Sequence, residues 1–109
     1  MRPEDLLTPT PSGLHCPPGD FFIDPPRPVE RALITHGHSD HARAGHGHVL
    51  ATAETLKIMA ARYGEDFAGS TEIAKLGETR TIGGPRVTFH PAGHVLGSAQ
   101  IAVEANGLR

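Results

Sequence analysis

Thr35-His36-Gly37-His38-Ser39-Asp40-His41 gathers four potential metal ligands within six residues, directly behind the apolar run Ala32-Leu33-Ile34. Imidazole and carboxylate suit zinc, manganese or iron. On a tight loop the i, i+2 pair His36 and His38 converges on one ion, while Asp40 and His41 serve a second. Gly37 and Ser39 are small, so the backbone turns closely around such a site. The plain alternative is a His-rich surface loop with incidental metal affinity. The full HxHxDH string behind a strand is far more specific than an isolated HxH.

Upstream of this stretch, Arg31-Ala32-Leu33-Ile34 is short, apolar and bounded by polar residues, as a buried strand is. Phe21-Phe22-Ile23 predicts another strand, ended by Asp24-Pro25-Pro26. Positions 6–19 are rich in proline and read as extended or turning chain, without a helix. Downstream, positions 35–48 lack apolar periodicity and read as a loop, in which His46 and His48 are expected to be exposed. Val49-Leu50-Ala51 predicts a strand. Thr52 is an expected N-cap, and Leu56, Met59, Ala60 and Tyr63 form the stripe of an amphipathic helix over 53–63. Gly64 then stands where a helix-ending glycine belongs.

Positions 65–77 carry little signal. Positions 79–82 and 86–90, around Gly83-Gly84-Pro85, predict a hairpin. A second loop, Pro91-Ala92-Gly93-His94-Val95-Leu96-Gly97-Ser98, follows it, with small residues flanking His94. It can deliver a third imidazole to the ion of His36 and His38. Positions 99–104 alternate as a strand, and Asn106-Gly107 is a hairpin turn signal.

Composition narrows the class. The chain has 109 residues, 38% hydrophobic, with no Trp, which allows one modest core. Its longest apolar run, Ile58-Met59-Ala60-Ala61, is far short of the ~20 residues of a membrane-spanning helix. Met1-Arg2-Pro3-Glu4-Asp5 lacks the pattern of a signal peptide. A single cysteine, Cys16, excludes an internal disulfide and makes a reducing cytoplasm the expected compartment; without an activating partner it is not expected to be a nucleophile. The net charge of −2 gives no global basic field. Of the eight His, five lie between positions 36 and 48. His15 and His90 are read as outside the site.

These residues resemble the metallo-β-lactamase fold superfamily, whose signature is HxHxDH. Ala92-Gly93-His94-Val95-Leu96-Gly97-Ser98 is similar to the third-motif loop of its β-CASP nuclease branch. More narrowly, Pro11-Ser12-Gly13-Leu14-His15-Cys16-Pro17, Gly19-Asp20-Phe21-Phe22-Ile23-Asp24-Pro25 and Leu50-Ala51-Thr52 resemble bacterial ligase-associated DNA exonucleases. The resemblance runs from about position 7 to 104.

It implies an α+β fold, the N-terminal half of a four-layer αββα sandwich, with residues 1–109 ending before the family's fourth metal motif. It implies two divalent ions, zinc first and manganese as the alternative. His36, His38 and His94 would hold the first ion, and Asp40 and His41 the second. Asp40 would also orient the attacking hydroxide as the catalytic residue. Asp24 would brace the metal loop by hydrogen bonds. The activity implied is phosphodiester hydrolysis by a DNA exonuclease in end processing alongside a DNA ligase, with the fragment alone inactive. Alternatives are an RNA-processing β-CASP nuclease, another hydrolase of the same fold, and a metal-binding domain without catalysis. DNA is the implied partner, RNA the alternative, and no membrane is involved.

Overall fold

In the computed structural model, residues 3–38, 41–92 and 99–105 are described. A one-turn helix, α1 (Pro3–Leu6), leads into β1 (Thr8–Thr10), β2 (Gly13–Cys16), β3 (Phe21–Ile23), β4 (Arg31–Leu33) and β5 (His46–Ala51). Helix α2 (Ala53–Tyr63) and β6 (Ala68–Ile73) follow, then β7 (Thr79–Thr81), β8 (Arg86–Pro91) and β9 (Ala99–Glu104). The first six strands form one sheet in the order β1-β2-β3-β4-β5-β6. β1, β2 and β3 pair antiparallel, whereas β3 to β6 run parallel, with Phe22 opposite Ala32 and Ala32 opposite Val49. The other three strands form an antiparallel sheet, β7-β8-β9.

Alternation along β4 and β5 sends side chains to two different cores. Leu33 and Leu50 pack with Phe21, Val87, Phe89, Ala99 and Val103, between the two sheets. Ala32, Ile34, Val49 and Ala51 pack on the other face with Met59 of α2, Phe67 and Ala42. The large sheet therefore lies between a helix and a second sheet. Among the described residues no helix is long and apolar enough to cross a membrane.

Helix α2 forms where its pattern predicts. Thr52 is extended, and its hydroxyl accepts from the Thr55 amide at 3.3 Å. Gly64 ends the helix at φ 92°, a region open to glycine, and its amide donates to the Ala60 carbonyl at 2.8 Å. The helix is the crossover between parallel strands β5 and β6. Its most buried residues are Thr55 and Met59, with Tyr63 37% exposed, so the inward face is rotated from the expected stripe.

The extended, turning chain expected of the proline-rich start is a hairpin of β1 and β2, Pro9 opposite Leu14, because proline is tolerated at a sheet edge. Two other expectations change. β5 begins at His46, so His46 and His48 belong to a strand rather than an exposed loop. The weak region holds edge strand β6, whose exposed Ala-Gly-Ser-Thr-Glu-Ile sequence has no buried face to generate alternation. The turn expected at Asn106-Gly107 lies outside the described residues.

Candidate metal centre

β3 and β4 are parallel neighbours, so their carboxyl ends lie side by side. Asp24 leaves the end of β3, and Thr35 follows β4 with Ile34 between them. The Asp24 amide donates to the Leu33 carbonyl at 2.9 Å, continuing the strand pairing into the site. Asp24 adopts φ 47°, a left-handed conformation that asparagine and aspartate tolerate better than most residues. The crevice outside the carboxyl ends of parallel strands is where such sheets bind ligands.

The Asp24 carboxylate is held from three directions. Its Oδ1 accepts from the Thr35 amide at 2.8 Å. Its Oδ2 accepts from the Thr35 hydroxyl at 2.6 Å and meets His41 Nδ1 at 2.9 Å. The Thr35 hydroxyl in turn lies 2.7 Å from His36 Nδ1. Proton bookkeeping orders this chain. The threonine proton goes to Asp24, so His36 Nδ1–H donates to the threonine oxygen. Asp24 is an acceptor, so His41 Nδ1–H donates to it. Both imidazoles are thereby set in the tautomer whose Nε2 carries the lone pair, which is how metal-binding histidines are oriented.

Ligand atoms of Asp24, His36 and His41 lie within 4.8 Å of one another. The His36 ring is 4.2 Å from that of His41 and 4.9 Å from that of His38, centroid to centroid. The His36 ring thus neighbours both other rings, while the ligand atoms that gather within 4.8 Å are those of Asp24, His36 and His41. This donor set fits a divalent ion. Asp24 accepts on both oxygens. Thr35 is the member of this network that sequence reading passed over. It stands at the head of the motif, but only the fold shows it linking Asp24 to His36. Asp40 and His94 lie outside the described residues. The Ala99 amide at the start of β9 donates to the Thr35 carbonyl at 2.7 Å, so β9 begins beside the centre.

The other histidines are elsewhere. His15 stacks on Phe22 at 4.4 Å and lies 3.3 Å from Asp20. His46 is 2% exposed, and its Nδ1 accepts from the Val29 amide at 3.1 Å, so burial holds its pKa below the usual histidine range. His48 meets Ser70 at 2.6 Å and Glu72 at 3.3 Å on β6. Cys16 is buried, which pushes its thiol pKa up and opposes reactivity.

No protein-family model matches the chain. The chain is similar to a protein of Opitutus terrae named probable DNA ligase, with 37% identity over 93 residues. Those residues are 84% of this chain and 9% of that relative, so the chain spans a small part of its relative's length. This likeness corrects the expected activity. The relative is named for joining DNA, not for hydrolysing phosphodiesters, so the DNA exonuclease reading and its RNA-processing alternative are set aside. The physical reason is that a cluster of imidazoles and carboxylates can hold an ion without specifying which reaction is done around it.

Proposed function

We propose that the chain is a divalent-metal-binding module of a DNA ligase-related polypeptide, an enzyme that acts on DNA in the cytoplasm. The observation that carries this reading is the Asp24–Thr35–His36 and Asp24–His41 network, which presets two imidazoles for a metal. Likeness to a protein named probable DNA ligase supplies the DNA context. The helix, sheet and second sheet are read as three layers of a four-layer αββα sandwich of the metallo-β-lactamase kind.

His36, His38 and His41 would hold the metal, with Asp40 and His94 completing a site for two ions. Zinc suits these donors best, and manganese is the alternative. A divalent ion bound there supplies concentrated positive charge for phosphate oxygens. The chain's own residues do the positioning. Asp24 fixes the His41 ring and Thr35 fixes the His36 ring. With a net charge of −2 the chain has no general attraction for DNA, so contact with phosphate centres on the metal.

Isothermal titration with Zn²⁺, paired with fluorescence anisotropy on a labelled nicked duplex, tests the reading. Zinc uptake and zinc-dependent duplex binding, both lost in His36→Ala, are expected. Failure to take up zinc overturns the metal centre. Zinc uptake without any effect on duplex binding overturns the DNA role.

A further inference from the structure

Helix α2 lies beside the metal loop, and its last two turns touch that loop at two points. Ile58 and Arg62 are four residues apart and so share one stripe of the helix. Both meet Gly37. The Arg62 guanidinium donates to the Gly37 carbonyl, and a Cβ placed on Gly37 would sit 2.8 Å from Ile58 Cγ2. Met59 and Tyr63 form the adjacent stripe, on the side of Ala42. The Tyr63 hydroxyl donates to the Ala42 carbonyl at 2.8 Å, while Ala42 and Met59 share a core. The Arg62 guanidinium also lies 5.8 Å from the centre of the Tyr63 ring.

We propose that Arg62 and Tyr63 are positioning residues that hold the two ends of the metal loop, Gly37 and Ala42, at the spacing the histidines need. The inference rests on the metal reading of this loop. Gly37 lies between His36 and His38, and Ala42 directly follows His41. Between the two anchors the His41 and Ala42 amides both donate to the His38 carbonyl, at 2.9 and 2.8 Å. Asp24 and Thr35 orient individual rings, but they grip the loop from the sheet side. Arg62 and Tyr63 grip it from the helix side through backbone carbonyls, which sets where His38 and His41 start. The role explains why exposed polar groups at the end of α2 reach across 25 and 21 residues of sequence to bond main chain. It also gives Gly37 its reason: a side chain there would push the loop off Ile58.

Cobalt(II) is the probe, because its visible d–d bands report ligand geometry as well as occupancy. Arg62→Lys and Tyr63→Phe are compared with the unsubstituted chain and with Lys57→Ala, an exposed change on the same helix. The two variants are expected to bind Co²⁺ roughly tenfold more weakly, the low end of losses from groups that support metal ligands. Their bands should shift, and amide hydrogen exchange in the metal-free loop should speed up, while the thermal midpoint of the metal-free chain stays within a few degrees. Lys57→Ala should change none of these. Unaltered affinity, bands and loop exchange in both variants overturn the positioning role, with the metal centre intact. Absence of Co²⁺ bands in the unsubstituted chain overturns the metal reading itself, and the positioning role with it.

Discussion

His41 Nδ1 lies 2.9 Å from Asp24 Oδ2, a contact between residues 17 apart in sequence. It forms because the strands that carry them toward the site are parallel neighbours in one sheet. The contact turns a histidine on a short loop into a ring with a defined tautomer. Its loss should therefore be felt at the metal before it is felt in the fold.

Asp24→Ala removes the acceptor shared by Thr35 and His41. Zinc affinity is expected to fall 10- to 100-fold, the range for groups that support metal-bound histidines. Asp24→Asn keeps an acceptor oxygen and should lose less. Titration calorimetry of both variants checks this, and unchanged affinity in Asp24→Ala shows that the brace is idle.

Replacing His38 by Ala deletes one imidazole of the cluster and should weaken zinc binding by at least about tenfold. His15→Ala is the matched control. His15 stacks on Phe22 in the β2–β3 region and has no place in the cluster, so zinc binding should not change. Equal losses in the two variants would mean that the histidines act without a defined site.

Stability should fall on acidification through His46. Its Nδ1 accepts the Val29 amide, its Nε2 has no partner among the described residues, and it is buried. Its folded pKa is therefore lowered, so below about pH 6.5 the unfolded chain binds a proton that the folded chain refuses. Stability is complete above that pH and declines as pH drops toward the folded pKa. Thermal midpoints of the metal-free chain from pH 7.5 to 5 should show this decline, and His46→Gln should flatten part of it. Parallel curves would assign the decline to other groups.

Thr52→Ala removes the helix cap that receives the Thr55 amide. A loss of about 1 kcal/mol is expected, within the usual 0.5–2 kcal/mol range. Urea denaturation of the two metal-free proteins measures it. Thr52→Ser, which keeps the hydroxyl, should recover most of the loss.

Local chemistry made much of this protein readable in one dimension. The four potential ligands of residues 36–41, the apolar runs 21–23 and 31–34, and the capped stripe 52–64 each act within a few residues of themselves. Their spacing was enough to expect ligands, strands and a helix, and to place Asp24 beside the metal loop by resemblance. Other features arise only when distant segments meet. Edge strand β6 has an exposed, unpatterned sequence and exists because β5 offers it hydrogen bonds. His46 reads in sequence as a loop histidine, and only the start of β5 encloses it against Val29. Thr35 became a link between Asp24 and His36, and Arg62 and Tyr63 became anchors for Gly37 and Ala42. Periodicity records which face of an element is buried, because burial rewards apolar side chains at regular intervals. It carries no record of which hydrogen-bond donor meets which carbonyl across the fold, since that depends on how parallel strands and their crossovers are stacked in three dimensions.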